Sequence, residues 1–131
     1  MEIGMIGLGR MGGNMAERLI RGGHRVVGYD RDPDALQAAQ QRGMGTASTL
    51  EELASKLAAP RAVWAMVPSG APTEATLSAL AQVLERGDLV VDGGNNNYKD
   101  TMRRGAELQR AGIQMVDAGV SGGILGLNEG Y

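Results

Sequence analysis

An apolar run, Glu2-Ile3-Gly4-Met5-Ile6, passes without a break into Gly7-Leu8-Gly9-Arg10-Met11-Gly12. An amphipathic stretch follows, then a second apolar run that ends in Asp30. This is strand, glycine turn, helix, strand, acid, and each glycine has its own task. Gly7 permits the tight turn out of the strand, Gly9 lets a pyrophosphate approach the backbone, and Gly12 allows helix and strand to pack closely. Leu8, Arg10 and Met11 complete the turn, and the helix start offers free N–H groups and a positive dipole end to phosphate. Asp30 stands where a carboxylate accepts hydrogen bonds from an adenosine ribose. A lone glycine pattern means little in a chain with 21 glycines among 131 residues. Its strand–helix–strand–acid setting is what predicts a dinucleotide site.

The rest of the chain keeps the same rhythm. Strand-like runs fall at 2–6, 25–29, 62–67, 89–92 and 114–117, with a short weak one near 44–47. Helical patterns fall between them at 11–22, 33–42, 49–58, 72–86 and 98–111. Such alternation predicts one α/β domain, a doubly wound parallel sheet of the Rossmann type with helices on both faces. The expected strand order is 3-2-1-4-5-6. Asp32-Pro33 opens one helix, Thr49 with Glu52 resembles a capping box, and Gly87 and Gly112 follow two others. Residues 118–131 are glycine-rich and predict no closing helix or strand, as in a domain cut from a longer polypeptide.

A formal net charge of −2 provides no electrostatic case for nucleic acid or an anionic membrane. No apolar run approaches the roughly 18 residues of a membrane span. Without cysteine there is no disulfide or thiolate metal site, and no metal is expected. A soluble, cytoplasmic protein is the expectation.

Ligands of doubly wound sheets bind beyond the carboxyl ends of the strands. Those ends here are Gly7–Gly12, Asp30-Arg31, Val67-Pro68-Ser69-Gly70, Asp92-Gly93-Gly94-Asn95-Asn96-Asn97 and Asp117 to Gly123. All carry small or polar residues, which favours a continuous crevice. Gly93-Gly94-Asn95 suits a carboxamide or a hydroxyl, or is a turn satisfying its own backbone. Ser121-Gly122-Gly123 is an anion-binding nest or a flexible linker. His24 precedes the second strand and reads as a surface or capping residue, and Trp64 as core. Lys99, Arg103 and Arg104 share one helix, either as a solvated face or as contacts to an anionic substrate or a partner.

Three segments together resemble 6-phosphogluconate dehydrogenases, within the β-hydroxyacid dehydrogenases. They are Gly7 to Ala16, Asp92-Gly93-Gly94-Asn95 with Tyr98-Lys99-Asp100-Thr101, and Val120-Ser121-Gly122-Gly123. The resemblance covers residues 2–131. It implies oxidation of the C3 hydroxyl of 6-phosphogluconate by hydride transfer to a nicotinamide, then loss of CO2 to ribulose 5-phosphate. It places Asn95 at the nicotinamide–substrate junction, Ser121, Gly122 and Gly123 on the substrate, and Val67, Pro68 and Ser69 beside the cofactor. It also implies a homo-oligomer, and places the catalytic lysine and glutamate beyond residue 131.

The chain departs from that pattern in three places. Asp30-Arg31-Asp32 stands where better-known members have the Asn-Arg-Thr that receives the 2′-phosphate of NADP. Asn96 and Asn97 replace Ser-Glu, and Ile124-Leu125 replaces an acidic pair. Asp30 repels a 2′-phosphate of about two negative charges, while the Arg31 guanidinium can pair with it. The carboxylate is expected to prevail, making NAD the preferred cofactor over NADP. Two other readings stay open: another β-hydroxyacid dehydrogenase of the 3-hydroxyisobutyrate type, and a dinucleotide-binding module without chemistry.

Overall fold

The computed structural model describes residues 1–94 and 97–131. Six parallel strands form one sheet: β1 (Glu2–Ile6), β2 (Arg25–Tyr29), β3 (Gly45–Ala47), β4 (Ala62–Ala65), β5 (Leu89–Asp92) and β6 (Gln114–Asp117). Their order is β3-β2-β1-β4-β5-β6, as expected for a doubly wound sheet. Between them run α1 (Arg10–Arg21), α2 (Pro33–Gln41), α3 (Leu50–Ser55), α4 (Ala71–Val83) and α5 (Tyr98–Arg110).

Period-two alternation on β1 divides the core between the two faces of the sheet. Ile3 and Met5 pack with Met15, Ala16 and Ala39 under α1 and α2. Ile6 packs with Leu53, Leu77, Leu80 and Leu108 under α3, α4 and α5. Burial on both faces explains why the strands are apolar without interruption. β6 is the exception: it is an edge strand, and Val116 is 49% exposed.

The capping signals act as the sequence implies. Thr49 Oγ1 accepts from the Glu52 N–H at 3.0 Å, and Glu52 accepts in return from the Ser48 N–H at 3.0 Å. The Ser48 N–H and the Lys56 ammonium hold the Glu52 carboxyl down at about 2. α3, β4 and α4 are shorter than their patterns predict, α3 stopping at Ser55. β4 ends at Ala65, before Pro68, which has no N–H to give a ladder. α4 ends at Val83, because Leu84 turns extended and the Asp88 carboxylate captures the Glu85 N–H at 2.8 Å.

The expectation of an unclosed tail is corrected. Residues Gly123–Leu125 form a 3-10 turn, and α6 (Gly126–Glu129) follows it back onto α1. Arg18 on α1 donates to the Leu127 carbonyl at 3.2 Å. The Tyr131 ring lies so close to Gly122 and Gly126 that a Cβ at either would fall 2.7 or 2.2 Å from it. Composition alone hides such contacts, since glycine here makes room for a ring and loosens nothing. No helix among the described residues is long and apolar enough to cross a membrane.

Candidate functional site: a crevice along the carboxyl ends of the strands

The glycines of the first turn divide their labour on steric grounds. Gly7 has φ +89° and lies so near the end of β4 that a Cβ would sit 2.1 Å from the Met66 carbonyl oxygen. A Cβ on Gly12 would meet the Gly7 carbonyl oxygen at 1.9 Å, so only glycine lets α1 sit this close to the turn. Gly9 differs: nothing lies within 4 Å of the place its Cβ would occupy. Its side-chain position opens onto empty space at the amino end of α1.

That end is also chemically bare. α2, α3 and α5 are capped by side chains of Asp32, Thr49 and Asn97, which accept from the N–H groups of Asp34, Glu52 and Lys99. α1 and α4 begin instead at Gly9 and Gly70, with no side-chain cap, and α1 has no acid in its first turn. The first-turn N–H groups and dipole of α1 thus meet no carboxylate from the helix itself.

Asp30 closes the other side of the turn. Its Oδ2 accepts from the Leu8 N–H at 2.8 Å and its Oδ1 from the Asp32 N–H at 2.9 Å. The carboxylate therefore ties the end of β2 to the glycine turn. Each oxygen keeps a lone pair for further acceptance.

A cavity of about 770 Å3 runs across these strand ends. Of the residues singled out from sequence, Gly7, Gly9, Met11, Gly12, Asp30, Arg31, Val67 and Pro68 border it. Leu8 and Arg10 face a second space of about 470 Å3 between α1 and α2. Ser69, Ser121, Gly122 and Gly123 are exposed and lie off the cavity wall. Asn95 falls outside the described residues. His24 sits at the opposite end of the sheet, where its Nδ1 accepts from the Met1 ammonium at 2.8 Å.

Sequence reasoning missed one wall. Pro72, Ala75, Thr76 and Ala79 border the cavity from α4, opposite Leu50. Their i, i+3, i+4, i+7 spacing is a stripe of small residues along one helix face, and it was there to be read. Gly93 and Gly94 border the far end, next to Val120. A Cβ on Gly93 would strike the Trp64 indole nitrogen at 2.2 Å and the Met66 sulfur at 2.5 Å. Gly93 is thus fixed by packing, while the Gly94 N–H donates to Asp92 at 3.0 Å.

The basic residues of α5 are not one solvated face. Arg104 is only 3% exposed, and its Nε donates to Glu74 on α4 at 2.7 Å. Arg103 reaches both oxygens of the same carboxylate at 2.9 Å. The two guanidinium groups, Arg103 first, hold the Glu74 carboxyl down at about 2.

The family profile described as the NAD binding domain of 6-phosphogluconate dehydrogenase matches residues 2–131. An NAD(+)-dependent, decarboxylating 6-phosphogluconate dehydrogenase of Haloferax volcanii is 37% identical over 131 residues, covering 100% of this chain and 43% of that protein. The solved 6-phosphogluconate dehydrogenase of Plasmodium falciparum, described with its cofactor NADP+ and its substrate 6-phosphogluconate, superposes with a TM-score of 0.90 at 28% identity. It covers 97% of this chain and 28% of that one. A Mycobacterium tuberculosis 3-hydroxyisobutyrate dehydrogenase superposes with a TM-score of 0.87 at 28% identity, over 95% of this chain and 42% of its own. The chain spans less than half the length of these relatives. It belongs to the family of NAD-binding domains of 6-phosphogluconate dehydrogenase, and its ligand class is a nicotinamide dinucleotide.

Proposed function

We propose that this chain is the cofactor-holding part of an enzyme that oxidatively decarboxylates 6-phosphogluconate to ribulose 5-phosphate, with NAD preferred over NADP. One observation carries the reading. The cavity is continuous from Asp30 and Arg31, past the open face of Gly9, to Gly93, Gly94 and Val120. Such a trough suits an extended dinucleotide better than a compact ligand. Bound there, the nicotinamide supplies a hydride acceptor.

The chain's own residues bind and orient. The bare amino end of α1, with Gly9 leaving the approach clear, receives the pyrophosphate. Asp30 accepts from the ribose hydroxyls on the adenosine side, with Arg31 beside it. Val67 and Pro68 form an apolar margin toward Gly93 and Gly94, where water is displaced from the reacting end. Asn95 at the nicotinamide–substrate junction, Ser69 beside the cofactor, and Ser121, Gly122 and Gly123 on the substrate follow from the resemblance alone. The acid–base lysine and glutamate of the family match no residue of this chain. A homo-oligomer and a cytoplasmic location belong to the same proposal.

Calorimetric titration of the chain with NAD and with NADP tests cofactor binding: NAD is expected to bind more tightly, and a clear NADP preference refutes that choice. For the reaction, the enzyme that carries this domain should release CO2 from 6-phosphogluconate with formation of NADH. Turnover of 3-hydroxyisobutyrate in its place would favour the smaller-substrate reading that the second structural likeness supports.

A further inference from the structure

We propose that Arg104 and Glu74 form a positioning clamp that sets the distance between the two loops bordering the nicotinamide end of the crevice. The inference rests on the reading of the crevice as a dinucleotide site.

Arg104 stands in the second turn of α5, the helix that follows Gly93 and Gly94. Its guanidinium crosses to the first turn of α4, the helix that follows Val67 and Pro68. There Nε meets Glu74 at 2.7 Å and Nη2 lies 3.5 Å from the Gly70 carbonyl oxygen. Gly70 and Glu74 are joined by the helical bond from the Glu74 N–H to Gly70, at 3.0 Å. In the same turn the fully buried Thr73 donates to the Pro68 carbonyl at 2.8 Å. The guanidinium therefore grips the segment that carries Val67 and Pro68, and does so from the helix that carries the next loop.

The chemistry of the pair argues against a role in stability alone. Burying a guanidinium is costly unless its donors are well satisfied. Here Nη1 is buried with no partner among the described residues. Apolar packing of the same volume would hold two helices together at least as well. What the charged pair adds is a fixed direction and length between α4 and α5, and hence between their preceding loops. Arg103 reinforces it from the exposed side through the same carboxylate. The adenosine end, at Asp30 and the glycine turn, is built from β1, β2 and α1 and is untouched by the clamp.

Titration of the chain by calorimetry with NADH and with ADP-ribose, which lacks the nicotinamide, separates the two ends. Arg104→Met keeps most of the volume and removes the charge. It should weaken NADH binding by about tenfold, mid-range for a residue acting through a packed network, and leave ADP-ribose within about twofold. Arg104→Lys, which keeps a cation for Glu74, should recover part of the loss. If Arg104→Met does not fold, Glu74→Gln reads the same ratio in the same direction. Equal weakening of both ligands, or of neither, overturns the clamp while the dinucleotide reading stands. A parent chain that binds neither ligand overturns both.

Discussion

The two rims of the sheet are built on opposite principles. At the amino ends of the strands, polar groups are closed on one another. Asp88, only 1% exposed, accepts from the Arg61 N–H at 2.7 Å, the Glu85 N–H at 2.8 Å and the Arg61 guanidinium at 3.2 Å. Glu2 pairs with Arg25 and accepts from the Ala58 N–H at 2.7 Å, while Arg25 also reaches the Lys56 carbonyl at 3.0 Å. At the carboxyl ends, glycine and proline line much of the wall, two helix starts have no side-chain cap, and a cavity of about 770 Å3 lies open, with the Glu74 pairs to Arg103 and Arg104 at the start of α4. One rim closes its polar groups on one another, and the other pairs some of them while leaving the amino end of α1 and the cavity wall open to a ligand. The division teaches that stability and binding should be separable by mutation.

The severest break belongs to the closed rim. Asp88→Ala strands two backbone N–H groups and takes the buried partner from the Arg61 guanidinium, whose side chain is 15% exposed and keeps only the Ala54 carbonyl and the exposed Glu85. Removing one partner of a buried pair costs about 3–5 kcal/mol, and urea unfolding should register a loss of that size. NADH affinity of the folded protein should not change. A shift below roughly 1 kcal/mol, the cost of a surface pair, would show that the rim is not closed in the sense argued.

Gly9→Val makes the mirror-image test on the open rim. Its backbone, φ −64° and ψ −169°, is open to any residue, and no atom opposes a Cβ. Urea stability should therefore hold, while NADH binding falls on the order of tenfold to a hundredfold. That range corresponds to one or two charge-assisted hydrogen bonds at about 1.5 kcal/mol each. Unchanged binding by the folded variant would leave the glycine turn a structural element only.

How much of this was legible from sequence follows from the range of the interactions. The glycine turn and Asp30 could be read because β1, α1 and β2 fix them within a short stretch of chain, and the strand order because strand and helix alternate along its whole length. The α4 wall was missed because four small residues carry no chemistry until Leu50 faces them across the cavity. Arg104 reads as one of a basic trio in sequence because its partner, Glu74, is thirty residues away. The closure of the tail onto α1 escaped for the same reason, since Arg18 and Leu127 meet only in the fold. Local motifs reveal local sites, and the partners of buried charges are not local.

Asp30 straddles the comparison, because it both holds the turn and faces the crevice. Asp30→Ala removes the carboxylate that accepts from the Leu8 and Asp32 N–H groups, which should cost about 1.5 kcal/mol per bond, less where water takes its place. It also removes the charge that repels a 2′-phosphate. At about 1 kcal/mol per unit charge at 4 Å in water-like surroundings, two phosphate charges are worth roughly tenfold or more in preference. The NAD-to-NADP ratio of dissociation constants should narrow by roughly tenfold, mainly through weaker NAD and stronger NADP binding. A ratio that stays put, with stability lowered, would reassign Asp30 to the closed kind of polar group.

The smallest effect tests whether charge on the open side contributes to the fold at all. Glu74 is held at about 2 by Arg103 and Arg104, well below its ordinary 4.5. A carboxyl with a lowered folded value contributes stability above its unfolded value, and that contribution disappears as pH falls through the folded one. The parent should therefore lose urea resistance between pH 4.5 and about 2, and Glu74→Gln should lose less over the same range. Asp88 loses stability in the acid direction too: burial pushes its carboxyl up, but the N–H groups of Glu85 and Arg61 and the Arg61 guanidinium outweigh burial and hold it low. That contribution is common to both proteins and cancels in the comparison. The Glu74 side chain is 36% exposed, so solvent and salt screen much of its interaction, and 1 M salt should shrink the remaining difference. Parallel acid limbs at low salt would mean that the Glu74 charge has no part in stability, leaving orientation of the two loops as its whole effect.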